Sequence, residues 1–114
     1  MDSYRYPIAG DRLVDYWIAL ESLLLPKEKE GELRFRAALR AAWFISSDSA
    51  ERAKIFKDLK RSYDLRSAVV HGSEKTVPEK AVMQTEDYLR RVLRKCIEIG
   101  STPTSEMFNA LVLG

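Results

Sequence analysis

Apolar residues recur at spacings of three and four along most of the chain, and polar or charged runs separate the periodic stretches. Such spacing returns to one helix face at every turn, so the chain reads as a series of amphipathic helices. Residues 1–10 are expected to form an irregular lead-in, with Pro7 and Gly10 as breakers. From Asp11 the pattern turns helical. Leu13, Trp17, Leu20 and Leu24 form one stripe, and Val14, Ile18 and Leu25 widen it. Pro26 and the charged run KEKEGE close this helix.

A second helix is expected from about Gly31 to Ile45, with Leu33, Ala37, Ala41 and Phe44 on its stripe and Leu39, Ala42 and Trp43 beside it. Asp48 followed by Glu51 has the spacing of a capping box, so a third helix starts there. It runs to about His71, with Gly72 as its stop. Thr76 and Glu79 repeat the capping spacing, with Pro78 in the first turn. The fourth helix then spans about 77–99, with Val82, Leu89, Val92, Leu93, Cys96 and Ile99 facing inward and Gly100 at its end. Thr102 and Pro103 open a short C-terminal helix, 103–113, carrying Met107, Phe108, Leu111 and Val112. No strand-like alternation persists, and there is no repeat. Short loops favour antiparallel neighbours. The expected fold is therefore all-α: an antiparallel up-and-down bundle of four main helices plus the short fifth, in a single domain over 1–114.

With 46% apolar and 32% charged residues, the chain has enough apolar surface to fold rather than stay disordered. A net charge of +2 is too small to argue for nucleic acid by itself, so the placement of charge matters more than its total. Cys96 is the only cysteine and reads as a buried thiol, which excludes an intramolecular disulfide and a Cys-rich metal site. One histidine leaves no imidazole set for zinc. There is no Gly-rich phosphate loop and no paired-carboxylate metal pattern, so kinase or nucleotidyltransferase chemistry, a metal and a cofactor are not expected. The chain shows neither a basic-then-apolar leader nor an apolar run of membrane length. A cytoplasmic location without a membrane partner is expected.

Two residues break the apolar pattern. On the third helix Phe56, Leu59, Tyr63 and Val70 share a stripe whose missing member is Arg66. On the first helix Glu21 interrupts the stripe of Val14, Ile18 and Leu25. A guanidinium in an apolar stripe needs a partner, because its charge cannot be shed and is costly to bury alone. Glu21 is one partner for Arg66, and Arg36 and Arg40 are rival partners for Glu21. Either these charges mark a polar pocket or subunit interface, or they snorkel to water at the edge of the stripe. His71, the only histidine, lies at the C-terminal end of the helix that carries Arg66. A helix end carries partial negative charge, and an imidazole there serves as an acid or base or simply as a cap.

Arg66 and His71 are five residues apart, so they lie about 140° apart around a regular helix. They meet only if the last turn loosens, if the arginine wraps round or if a second subunit contributes. His71 shares a face with Asp64, Ser67 and, further back, Lys57, Lys60 and Arg61. That face is either an ordinary solvated surface or a basic track for phosphates. Asp64, Ser67 and His71 are not a hydrolase triad, because successive turns of one helix cannot reproduce its linear relay.

The string YDLRSAVVHG (Tyr63 to Gly72), with WIALESLL (Trp17 to Leu24) and FRAALRAAWFI (Phe35 to Ile45) upstream, resembles the Apea-like branch of the HEPN superfamily over about residues 11–99. The resemblance implies a helical bundle of four or more helices, paired as a homodimer. It implies a metal-independent endoribonuclease in defence, stress response or toxin–antitoxin systems, with Arg66 and His71 of both subunits as the catalytic pair. Many active members carry Asn, Asp or His directly after the arginine, where this chain has Ser67. The residue types suit RNA cleavage by the substrate's own 2′-hydroxyl. His71 would transfer protons, Arg66 would stabilise the phosphorane, and Ser67, Asp64, Arg61 and Lys57 would support or bind substrate. The alternative is a non-catalytic HEPN module that dimerises or binds nucleotide or RNA within a larger defence system, beside an antitoxin or a fused partner domain.

Overall fold

Capping chemistry sets the helix boundaries of this chain more closely than apolar periodicity does. The computed structural model describes residues 9–25, 33–72 and 76–113. Among them are five helices: α1 (Ala9–Leu24), α2 (Leu33–Ile45), α3 (Ser49–Val70), α4 (Glu79–Ile99) and α5 (Ser105–Leu113). No strand occurs among the described residues. Asp48 caps α3 as expected, its Oδ2 accepting the Glu51 backbone N–H at 2.8 Å. At the other end Gly72 takes φ +76, a conformation that a residue with a Cβ rarely adopts, and Gly100 stops α4 in the same way.

Several boundaries differ from expectation. The first helix starts at Ala9, so the irregular lead-in stops short of residues 9 and 10; residues 1–8 lie outside the described residues. Gly10 is helical and buried there, and a Cβ on it would come within 3.2 Å of both Val69 methyl carbons. Pro26 and the start expected at Gly31 also lie outside the described residues, and α2 runs from Leu33. The fourth helix starts at Glu79 with Pro78 as its N-cap, not at 77 with Thr76 in that role. The physical reason is the proline: the residue before it is driven out of the helical region, so Val77 cannot be the first helical residue. Val77 and Val82 occupy the two positions of a hydrophobic staple instead, and both are buried. The fifth helix begins at Ser105, two residues later than expected, with Thr104 Oγ1 accepting the Met107 N–H at 3.1 Å.

Helix α2 ends without a glycine, and arginine side chains take its last carbonyls. Arg52 Nε donates to the Ser46 carbonyl at 2.7 Å while its guanidinium lies 3.6 Å from the centre of the Trp43 ring. Arg91 donates to the Ile45 carbonyl at 3.2 Å. Arg40 does the same for α1, donating to the Leu24 carbonyl at 2.9 Å. Helix α5 docks on α2 through Phe108, which meets Phe44 edge-on at 6.2 Å and Arg40 at 4.9 Å.

The core is the expected one on α1, where Leu13, Trp17, Leu20 and Leu24 are fully buried. On α3 the buried line is Ile55, Leu59 and Ser62, rotated from the expected stripe; Phe56 and Tyr63 are half-buried and Val70 is exposed. On α4 Leu93 and Ile99 are exposed, contrary to expectation, while Thr85 and Tyr88 are buried. Arg91 already lies level with Glu51 in the first turn of α3, at 3.1 Å, so the last turns of α4 project beyond that partner. Cys96 is half-buried, and burial pushes its thiol above the usual range.

Contacts between helices fix their directions. Gly10 lies against Val69 and Trp17 against Ser62, so α1 and α3 run in opposite directions. Arg12 pairs with Glu79 at 2.9 Å, and Ser62 joins Trp17 to Thr85, so α1 and α4 run the same way. Helices α3 and α4 are opposed, with Ser62 at Thr85 and Asp58 at Tyr88. This order departs from strict up-and-down alternation, in which α1 would parallel α3. The short-loop argument fails between α1 and α2, where eight residues, 25–32, separate the helices. A connection of that length reaches about 26 Å and does not oblige neighbours to be antiparallel.

One buried chain of hydrogen bonds joins three helices. Trp17 Nε1 donates to Ser62 Oγ at 2.8 Å, and Ser62 and Thr85 hydroxyls are 2.6 Å apart. Thr85 Oγ1 gives its single proton to the Ala81 carbonyl at 2.8 Å, so Ser62 must be the donor to Thr85. Ser62→Ala would orphan the Trp17 N–H while leaving Thr85 bonded to Ala81. The expected loss is about 1–3 kcal/mol, with a fall in melting temperature of about 4–8 °C per kcal/mol for a domain of this size. Thermal unfolding followed by circular dichroism measures it, and an unchanged melting temperature would refute the relay.

Candidate functional site

Arg66 continues the buried line of α3, one turn beyond Ser62, and is itself half-buried. Long helical side chains lean toward the N-terminus of their helix. Arg66 does so: its Cζ lies 5.0 Å from the centre of the Tyr63 ring, and Nη1 is 3.5 Å from the Tyr63 hydroxyl. Tyr63 in turn meets Trp17 edge-on at 5.1 Å, so the guanidinium is packed through one aromatic ring to the core.

That packing leaves Arg66 incompletely satisfied. Among the described residues two buried side-chain polar atoms lack a hydrogen-bond partner, Arg66 Nε and Glu21 Oε2. These are the two inward charges that the sequence pattern singles out. Glu21 is half-buried on α1, one turn beyond Trp17, and lines a shallow cleft with Ile18, Ser22 and Leu25. Glu21 Oε2 and Arg66 Nε do not bond to each other. Arg40, half-buried, is directed to the Leu24 carbonyl and the Phe108 ring, and Arg36 is exposed on α2.

His71 is the C-cap of α3 and is exposed. Its backbone N–H and its ring Nδ1 both approach the Ser67 carbonyl, at 3.0 and 2.8 Å. A carbonyl only accepts, so Nδ1 carries the proton and donates. In the neutral ring Nε2 is then an acceptor directed away from its own helix. Ser67 thus positions the imidazole through its main chain, a role its side-chain identity does not reveal. Asp64, Arg61 and Lys57 are all exposed on the outer face of α3, and Lys60 lies 5.1 Å from the centre of the Phe56 ring.

Arg66 and His71 do not converge within one chain. The arginine reaches three residues back to Tyr63 on the inner flank of α3, and the imidazole turns back onto Ser67 at the exposed end. Two large apolar side chains are exposed on these helices: Ile18 is 54% exposed on α1 and Val70, one turn beyond Arg66, is 53% exposed on α3.

Other concave features lie elsewhere. A cleft of about 590 Å³ sits at the opposite end of α3 between α2, α4 and α5 and contains none of the candidate site residues read from the sequence. A second, about 410 Å³, opens between α3 and the first turns of α4 and includes Arg61 together with Lys54, Lys80 and Gln84, which pattern reading along α3 did not single out. Lys54 had a visible signal, since it precedes Lys57 and Arg61 by three and seven residues on one helix face. Lys80 and Gln84 had none, because only the packing of α4 brings them there. Among the described residues no group of three or more His, Cys, Asp or Glu stands together for a metal, and no helix is long and apolar enough to cross a membrane. No family model, no curated protein and no solved structure matches this chain.

The Nδ1–H tautomer of His71 is directly measurable. A nitrogen–proton correlation spectrum of the neutral ring is expected to show Nδ1 protonated and Nε2 bare. The opposite tautomer would mean that the Ser67 carbonyl does not hold the ring.

Proposed function

We propose that the chain is a metal-independent endoribonuclease of the HEPN type, acting as a homodimer in a defence or stress response. The observation that carries this reading is the state of its two key groups. His71 has Nδ1 held by a carbonyl and Nε2 free, and Arg66 has a buried N–H without a partner on the same helix. Such an imidazole suits proton transfer, and such a guanidinium suits an anionic centre brought by substrate. Five helices, four of them packed together, agree with the resemblance in RSAVVHG (Arg66 to Gly72) at the level of fold class.

The dimer follows from the divergence of Arg66 and His71. A two-fold axis beside the exposed Ile18 and Val70 would bury both and bring two copies of each group to one cleft. One His71 then takes the proton from the ribose 2′-hydroxyl, whose oxygen attacks phosphorus. The second His71 protonates the departing 5′-oxygen, leaving a 2′,3′-cyclic phosphate, and the Arg66 guanidiniums offset the phosphorane charge.

The test is cleavage of mixed single-stranded RNA with chelator present. The native chain should produce cyclic-phosphate ends. His71→Ala should lose at least about 100-fold in rate, with little change in melting temperature, because the ring is exposed. Equal cleavage by both proteins, or no cleavage by a folded native dimer, would overturn the enzyme reading, the second outcome in favour of a binding or dimerisation module. Arg66→Lys should keep the fold and lower the rate, since an ammonium lacks the planar donors that contact phosphate oxygens.

A further inference from the structure

The cleft between α3 and α4 combines polar groups that are already committed with donors that are not. Asp58 on its α3 wall accepts from Lys54 Nζ at 2.8 Å and from the Tyr88 hydroxyl at 2.7 Å. Burial, and next the bond to Asp58, hold the Tyr88 phenol above its usual range, which keeps it a donor to that carboxylate. Ser62, at the base, spends its proton on Thr85. The one carboxylate lining the cleft is therefore neutralised from within, and its hydroxyls are directed inward.

Arg61 on one wall and Lys80 and Gln84 on the other line the same cleft, and none of them has a partner among the described residues. The available groups are a guanidinium, an ammonium and an amide. The cationic pair has no free carboxylate to answer it, because Asp58 is already engaged. Two unpaired cations lining one concavity repel each other until an anion with several acceptor oxygens lies between them.

We propose that this cleft is a phosphate-binding site, formed by Arg61, Lys80 and Gln84, that holds the backbone of a single-stranded RNA. His71 lies ten residues beyond Arg61 on α3, about 15 Å along the helix axis, or two to three nucleotides. The choice of RNA rests on the ribonuclease reading; the phosphate chemistry does not. Binding is therefore measured on a strand that cannot be cut.

The probe is a labelled 12-nucleotide single strand with 2′-O-methyl riboses, followed by fluorescence anisotropy against the full chain, with AMP as a second probe. Arg61→Gln and Lys80→Gln should each weaken strand binding about fivefold and lower its salt dependence by roughly 0.7 in the log–log slope. Lys95→Gln, at the far end of α4, should leave it unchanged. AMP that binds as tightly as the strand, and weakens with the same two variants, would assign the phosphate site to a free nucleotide and overturn the choice of RNA. Equal affinity of native, Arg61→Gln and Lys80→Gln chains for both probes, or an equal loss on Lys95→Gln, would overturn the site itself.

Discussion

The hydrogen bonds from Trp17 through Ser62 and Thr85 to the Ala81 carbonyl set the relative height of α1, α3 and α4. An indole N–H and two hydroxyls are each costly to bury alone. Here every proton has one destination, so the helices cannot slide by a turn without breaking the whole chain. The fully buried Trp17 supplies the bulk of that layer, and Tyr63 closes it edge-on. The level of Arg66 is a consequence: it lies one turn from Ser62 on α3, and its guanidinium stacks on the ring that the layer holds in place.

Arginine plays two opposite parts in this molecule. Arg40, Arg52 and Arg91 satisfy the last carbonyls of α1 and α2, where no glycine ends the helix. Their charge is answered by backbone dipoles and aromatic rings, and they lock α5 and the α2–α3 turn. Arg66 sits against a ring as well, yet keeps an N–H buried and unanswered. Native folds rarely leave such a donor unpaired. That contrast, rather than the number of arginines, distinguishes Arg66 from the structural set.

The surface divides in a similar way. Helices α1 and α3 expose Ile18 and Val70, while the flank of α3 toward α4 exposes Arg61 and, across the cleft, Lys80 beside Pro78 and Ala81. In the reading proposed above, the apolar residues would meet a second copy of the chain and the cations an anion.

Much of this was legible in the residues alone. Helical periodicity, the Asp48 cap and the stops at Gly72 and Gly100 follow from local chemistry, because a cap or a left-handed glycine depends on neighbours a few residues away. The pattern also exposed Arg66 and Glu21, since a charge in an apolar stripe is visible without coordinates; both prove to hold a buried orphan atom. Tertiary structure decided what depends on distant segments. It rotated the buried line of α3 onto Ile55, Leu59 and Ser62, left Val70, Leu93 and Ile99 in solvent, and ran α1 parallel to α4. It also placed Lys80 and Gln84 opposite Arg61. Periodicity reports which face of a helix is apolar, but which part of that face is covered depends on where the partner helix begins and ends.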